Sequence, residues 1–430
     1  MHISRSETHQ QDRSKRKKRL RRLIFVNLSL LGIIIIVLGA WLAAENSDKL
    51  KGLLSFAGNA NKGQNQTINT GDKGSEKEPD LTDDVDLSGN DTGSNLPNEE
   101  EDTSAVTDPN GAGIEEERVS LSFVGDLLVA DYVSAITARE GYEYLYQPAM
   151  LYLSEPDLTA GNLEFPVTKR GTPVTGTPYV FKGSPDVLPS IRNAGFDVLS
   201  LANNHALDQG VEGMLDTMKY LDEAGLSHMG AGNNDTEAFT PVIKEVRGIK
   251  VAYIGLSRVV PFSSWKADKN VAGLAETYDT RRATEAIAKA KKEADIVVVM
   301  VHWGKERVDQ PEPYQKDFGK QYIDAGADLV IGSHPHVLQG FEMYKGKWIA
   351  YSLGNFIFSS YPKETAGETG VLDALCTKKG DCEMTFHPMF TVNAQPTPLE
   401  GEKAKALLDR LTSVSFGVKL NEDGRITPEK

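Results

Sequence analysis

The sequence predicts an α/β domain, and three observations carry the prediction. Five runs rich in Val, Ile and Leu, at Val119–Val124, Leu158–Ala160, Phe196–Leu201, Ala294–Val301 and Ala327–Ile331, read as buried strands. Helical patterns precede the last two, Asp279–Glu293 and Tyr314–Ala325, and this alternation argues for βαβ units with a mainly parallel core. Each run ends in a short polar cluster: Gly125-Asp126, Gly161-Asn162-Leu163-Glu164, Asn203-Asn204-His205, His302-Trp303-Gly304 and Gly332-Ser333-His334-Pro335-His336. Open α/β sheets bind ligands beyond the carboxyl ends of their strands, so clusters spread over about 210 residues are expected to meet in one crevice.

Taken from the N-terminus, residues 1–22 carry nine Lys or Arg against two acids and read as a cytoplasmic basic tail. They run into Leu23–Ala44, an almost wholly apolar stretch of spanning length. An uncleaved transmembrane signal anchor is expected there, because a cleavable signal has an apolar region of only about 7–15 residues; a cleaved signal ending at Ala43-Ala44 is the rival. The basic excess before the span keeps the N-terminus cytoplasmic and sends the rest outside. Residues 45–117 are mostly Asp, Glu, Asn, Ser, Thr and Gly, too polar to offset the entropy of ordering, and are expected to form a disordered linker. Between Asp72 and Glu117 stand sixteen acids and two lysines, a net −14 that equals the formal charge of the whole chain. The acidity therefore resides in the linker, where it keeps the segment solvated.

Residues 118–398 are expected to form one large domain, and 399–430 a C-terminal helix and tail. Lys347–Phe358, Val371–Thr377 and Cys382–Val392 read as strands without intervening helices and suggest an antiparallel sheet. Glu400–Thr412 reads as an amphipathic helix, and Thr427–Lys430 as a frayed end. The two cysteines, Cys376 and Cys382, flank Thr-Lys-Lys-Gly-Asp at an expected hairpin tip, and a disulfide and two free thiols both remain open. No histidine motif accompanies them, which argues against a thiol-based active site.

Four of the eight histidines fall in the polar clusters: His205, His302, His334 and His336. Alternate residues of an extended segment point the same way, so His334 and His336 are expected to bring two imidazoles to one ion or one each to two adjacent ions. Asp126 and Glu164 add carboxylates, and Asn204 a neutral amide oxygen. A set of N and O donors without thiolate suits a divalent Mn, Fe or Zn ion, with one or two ions both open. Singly, each residue has an ordinary reading: Asp126 as a helix cap, Asn203-Asn204 as a turn, His302 as a core histidine. Together they require five coincidences at strand ends, and a shared site is the simpler account.

With these residues in place, the chain resembles the capsule synthesis proteins of the CapA/PgsA type, which are associated with poly-γ-glutamate and distantly related to the calcineurin-like metallophosphatases. The resemblance runs from about Val119 to Phe358. It rests on Phe123-Val124-Gly125-Asp126, Gly161-Asn162-Leu163-Glu164, Ala202-Asn203-Asn204-His205-Ala206-Leu207-Asp208, His302-Trp303-Gly304, His334-Pro335-His336-Val337 and Tyr351-Ser352-Leu353-Gly354-Asn355-Phe356. It implies a metallophosphatase-like four-layer α/β/β/α sandwich and a part in making or exporting an anionic polyglutamate capsule. It also implies membrane-bound synthase partners, a Mur-like ligase and a small membrane protein. The metallophosphatase pattern is D-x-H, G-D, G-N-H, a lone H and G-H-x-H. Carried over, Asp126 matches the first Asp, Asn204-His205 the Asn-His pair, His302 the lone His, and His334 and His336 the last pair. Two positions depart from it: Leu128 stands where D-x-H has a histidine, and Asn162 and Glu164 stand where the phosphatases have Gly-Asp.

Two classes of function follow. In the first, Asp126, Glu164, Asn204, His205, His302, His334 and His336 hold the metal. The first five are also the candidate catalytic residues of a hydrolase or transferase acting on polymer or wall substrate. Lys182, Arg258, Lys305 and Arg307 are then candidate substrate clamps, since residues 118–430 carry a net −8 and a polyanion needs local positive charge. In the second, the domain is a non-catalytic scaffold or polymer-guiding subunit. A phosphoesterase acting on an unrelated substrate is a further alternative, and no nucleic-acid partner is expected.

Overall fold

The structure, a computed structural model, describes residues 117–358 and 364–429. The expected basic tail and membrane span lie outside the described residues, as does the linker up to residue 116. Among the described residues no helix is long and apolar enough to cross a membrane.

The fold is a mixed α/β arrangement of two large sheets. In chain order the strands are β1 (Arg118–Leu127), β2 (Leu158–Leu163), β3 (Val198–Ser200), β4 (Ser227–Met229), β5 (Ala231–Gly232), β6 (Val242–Val246), β7 (Ile249–Ser257), β8 (Gly273–Leu274) and β9 (Ile296–His302). There follow β10 (Leu329–Ser333), β11 (Phe341–Tyr344), β12 (Lys347–Ala350), β13 (Asn355–Ile357), β14 (Glu368–Thr377), β15 (Cys382–Val392), β16 (Gln395–Pro398), β17 (Val418–Leu420) and β18 (Arg425–Pro428). The first sheet runs β17-β18-β15-β14-β1-β2-β3-β4, with β13 beside β1 and β16 beside β15. The second runs β11-β12-β10-β9-β7-β6. Each has a parallel half, β1 to β4 in the first and β7, β9, β10 and β12 in the second, and antiparallel strands complete both.

Side-chain alternation along the strands sorts the core into layers. Ile296, Val298 and Met300 of β9 face an apolar cluster shared with Leu121 and Phe123 of β1, whereas Val297, Val299 and Val301 face a second cluster with Ile287 and Tyr322. The strand is thus buried on both faces, which is why it reads as an unbroken β-branched run, and each such side chain stabilises the fold by roughly 1.5–3 kcal/mol. Helix Arg281–Glu293 presents Ala283, Ile287 and Ala290, spaced by four and three residues, to that outer cluster. Helix Pro313–Ala325 packs there too. It starts at Pro313 behind a capping box in which Glu312 and Gln315 satisfy each other's backbone N–H groups. Helices Asp131–Glu140, Leu188–Ala194 and Gly210–Ala224 pack on the outer face of the first sheet. The order of layers is helix, sheet, sheet, helix.

Two segments differ from their sequence-based expectations, and the expected C-terminal helix is present. Lys347–Phe358 is not one strand: β12 lies parallel to β10 in the second sheet, and the chain then crosses at Leu353-Gly354 so that β13 lies parallel to β1 in the first. The C-terminal end is not frayed as far as Pro428, because β18 pairs with both β15 and β17. Helix Gly401–Val414 buries Leu407, Leu408 and Leu411 in the cluster between the sheets, so this segment completes the core. Cys376 and Cys382 are directly opposite each other on β14 and β15 and form a disulfide.

Candidate metal centre

The polar clusters meet because strand register places them side by side. In the first sheet Asp126 pairs with Asn162 of β2 and with Asn355 of β13, and Asn162 pairs with Ser200 of β3. In the second, His302 pairs with Ser257 on one side and Ser333 on the other. Glycine is required at two of these ends by close backbone approach. A Cβ on Gly125 would lie 1.9 Å from the Gly354 carbonyl oxygen, the atom that accepts from the Asp126 amide at 2.9 Å. A Cβ on Gly332 would lie 2.0 Å from the Tyr351 carbonyl oxygen.

Asp126 is fully buried. Its Oδ1 accepts from the Asn162 amide at 2.8 Å, and its Oδ2 accepts from the His334 backbone N–H at 3.3 Å with His336 Nδ1 at 3.4 Å. His302 is buried too. Its Nε2 lies 2.7 Å from Asn204 Oδ1 and 3.5 Å from Glu164, and its Nδ1 meets Ser333 Oγ at 3.1 Å and the Asn162 amide at 3.3 Å. His336 Nδ1 meets Asn355 Oδ1 at 3.0 Å. His205 is half-buried at the edge, its Nδ1 2.8 Å from Asp208 Oδ2 and its ring against Phe181.

His334 and His336 converge by a route other than the expected one. They do not alternate on an extended strand; both follow β10 in a turn with φ of 97° and 56°. Left-handed backbone at two non-glycine residues costs about 1–3 kcal/mol each and is characteristic of functional sites. The turn sets the two rings 5.6 Å apart and the His334 ring 4.6 Å from that of His302.

Burial drives the electrostatics. Desolvation, then the neighbouring Asp126 carboxylate, raises the Glu164 pKa well above the usual range. Desolvation, then His336, lowers His334 to about 3, and desolvation with the neighbouring imidazoles holds His302 well below its ordinary value. Both Glu164 oxygens and His334 Nδ1 are buried without a hydrogen-bond partner. One ligand atom each from Glu164, His334 and His336 lies within 4.8 Å of the others. A buried carboxylate and the His334 imidazole, both lacking partners, beside a second imidazole whose Nδ1 is held by Asn355, fit a divalent cation that would satisfy the unpartnered atoms together.

Residues 120–360 match the family described as bacterial capsule synthesis protein PGA_cap. The chain belongs to this family. It is 35% identical over 249 residues to the capsule biosynthesis protein CapA of Bacillus anthracis, a match covering 57% of this chain and 61% of that protein. It is 33% identical over 313 residues to the PGA biosynthesis protein CapA of Bacillus subtilis (strain 168), covering 72% of this chain and 82% of the relative. Among solved structures it is similar to the NAD nucleotidase NadN of Haemophilus influenzae, with TM-score 0.38, 16% identity and coverage of 70% of this chain and 57% of that one.

In this PGA_cap family member all seven expected ligands lie at the carboxyl ends of the parallel strands. Glu164, His334 and His336 are the cluster whose ligand atoms converge within 4.8 Å, and Asp126, Asn204, His205 and His302 surround it. Leu128, at the departed D-x-H position, is fully buried in apolar surroundings. Of the expected clamps, Lys305 and Arg307 are exposed on the segment after Gly304, and the Arg307 amide donates to the Pro335 carbonyl at 2.8 Å, against the His334–His336 turn. Lys182 is exposed next to Phe181, whose amide donates to Asp208 at 2.7 Å. The Arg258 amide donates to the His302 carbonyl at 2.8 Å, but the Arg258 side chain is directed away from the imidazoles. The residue stands two positions beyond Leu256, which faces the outer cluster, and its guanidinium lies over Tyr278 and Tyr314 at 4.1 and 5.0 Å.

Four positioning residues were not among the expected site residues: Asn162, Asn355, Asp208 and Ser333. All stand inside the quoted motifs, and the signal that marks them is position, directly beside a ligand or at a strand end. Their contacts, however, arise from pairing between strands distant in sequence.

Proposed function

We propose that this chain is a membrane-anchored, extracytoplasmic component of poly-γ-glutamate capsule synthesis or export, with a metallophosphatase-like metal site acting hydrolytically on the polymer or a wall substrate. Membership of the capsule synthesis family, and the printed name of the B. subtilis relative, support the process. The apolar stretch 23–44 after a basic tail supports the anchor, and a disulfide, which persists in oxidising compartments, supports the outside placement. The observation that carries the chemistry is the convergence of ligand atoms from Glu164, His334 and His336, with both Glu164 oxygens and His334 Nδ1 left without partners.

Asp126, Glu164, Asn204, His205, His302, His334 and His336 would hold one or two divalent ions. Such an ion supplies Lewis acidity, polarising an acyl or phosphoryl oxygen and activating water. The protein's own part is orientation. Asn162 and Asn355 fix Asp126 and His336, and Ser333 with Asn204 fixes His302. Asp208 takes the Nδ1 side of His205, which leaves Nε2 either to join the ion or, in place of ligation, to exchange a proton with substrate. Lys182, Lys305 and Arg307 would receive substrate carboxylates at the rim.

A specific residue favours a second reading. Leu128 removes one ligand of the metallophosphatase pattern, which suits a scaffold that retains the fold without turnover. The two readings part in one experiment on the full chain: metal content, complex formation with synthase subunits and polymer output, for wild type and the His334→Ala/His336→Ala variant. The hydrolytic reading expects the variant to lose metal and stop output while the complex still assembles. Normal output from a metal-free variant would sink it.

A further inference from the structure

We propose that Tyr179, with Phe181 beneath it and Lys182 beside it, forms an aromatic ledge that receives an anionic amide polymer at the mouth of the metal site. The inference rests on the polyglutamate reading and adds to it a subsite outside the metal cluster.

The ledge belongs to the segment 169–182, which has no helix or strand of its own and is nevertheless firmly held. Val167 and Gly183 bridge at its neck, where the Thr168 amide donates to Gly183 at 3.1 Å and the Gly183 amide to Pro166 at 2.9 Å. Its first half is fastened to the turn that carries Asn204 and His205: the Thr172 amide donates to Gln209 at 3.3 Å and the Val174 amide to Asp208 at 3.0 Å. The return limb is fastened to that turn as well, by the Phe181 amide on Asp208 and by Gln209 Nε2 on the Phe181 carbonyl at 2.9 Å.

On this braced segment Tyr179 is 66% exposed, the most exposed of the large hydrophobic side chains among the described residues, while Phe181 is 7% exposed. The Tyr179 and Phe181 rings are nearly parallel, 4° between planes and 6.3 Å between centroids. Phe181 in turn lies 4.6 Å from the His205 ring. A line of rings therefore leads from solvent to a candidate ligand. Desolvating an exposed tyrosine on a rigid segment is favourable at little entropic cost, which is how aromatic residues serve binding surfaces.

The chemistry of the occupant follows from what adjoins the ring. Lys182 is exposed and makes no ion pair among the described residues, so a cation stands free beside a flat apolar face. A chain that presents planar amides and carboxylates in alternation matches both groups, the amide plane on Tyr179 and a carboxylate on Lys182.

The test is binding of defined-length poly-γ-glutamate to the full chain in detergent, at two salt concentrations, for wild type, Tyr179→Ala, Tyr179→Phe and Lys182→Gln. Tyr179→Ala should weaken binding roughly three- to tenfold, and Tyr179→Phe should restore it, with melting temperature and metal content unchanged. Lys182→Gln should weaken binding and flatten its salt dependence. If wild type binds and Tyr179→Ala binds equally well, the ledge is overturned and the polyglutamate reading stands. If wild type does not bind, both fall. Tyr179-dependent retention of a neutral glycan in place of polyglutamate would overturn the anionic-amide assignment.

Discussion

Glu164 concentrates the physical problem of the site in one side chain. Its two oxygens are buried without hydrogen bonds, and the nearest cationic candidate, His302 Nε2 at 3.5 Å, is itself pushed toward neutrality by burial. An ionised carboxylate so placed costs several kcal/mol, and burial beside the Asp126 carboxylate shifts the metal-free fold toward the neutral acid. A bound divalent ion reverses that preference. Glu164→Gln keeps the shape and removes the charge, so its effects should have opposite signs with and without metal. In EDTA the variant should melt at or slightly above the wild-type temperature. With Mn²⁺ or Zn²⁺ at about 100 times its dissociation constant, wild type gains about 2.7 kcal/mol, roughly 3–8 °C, and the variant little. Equal gains in both proteins would remove Glu164 from the ligand set.

At the scale of elements, the segment 169–182 is tied to helix Gly210–Ala224 by a charge pair. Arg170 donates to Asp216 from Nε at 3.0 and 3.1 Å and from Nη2 at 2.8 Å, and Thr168 Oγ1 donates to the same carboxylate at 2.6 Å. The Arg170 hydrogen bonds hold the Asp216 pKa below its ordinary value. A carboxylate depressed in the folded state stabilises above its unfolded pKa of about 3.9, and this stability is lost as pH falls through the folded value. Arg170→Met should therefore lower the urea midpoint at pH 7, by a modest amount because the guanidinium is largely exposed, and the difference should close below about pH 4. A difference constant from pH 7 to pH 3 would assign the effect to packing. Elements of this kind were only partly legible. The five Val/Ile/Leu runs and the two helices between them stand out because burial on both faces of a strand, or on one face of a helix, writes itself into local composition. The left-handed turn at His334 and His336 left no such trace, since the sequence shows their spacing but not their φ. Nor did β13, which is three residues long and is defined by parallel pairing with β1, more than two hundred residues earlier. Arg258 is the opposite case: alternation counted from Leu256 already turns its side chain away from the imidazoles, although its amide meets the His302 carbonyl.

On the scale of the whole molecule, the site exists only because two sheets meet. Asp126, Glu164, Asn204 and His205 come from the first and His302, His334 and His336 from the second, so neither half can hold the cluster alone. The same first sheet carries the disulfide, with Cys376 buried and the carbonyl of Cys382 accepting from Trp348 Nε1 at 2.9 Å, a bond that joins the two sheets at the end away from the site. A bridge here is expected to persist only where thiols are oxidised, which connects the core of the domain to the proposed placement outside the membrane. Protease treatment of intact protoplasts should then cut within residues 45–117 and release the domain as a soluble fragment. Denatured without reductant, that fragment should take no maleimide label, and after reduction it should take two. A domain protected until the cells are lysed, with both thiols free to react, would overturn the extracytoplasmic placement and leave the two-sheet site intact in another compartment.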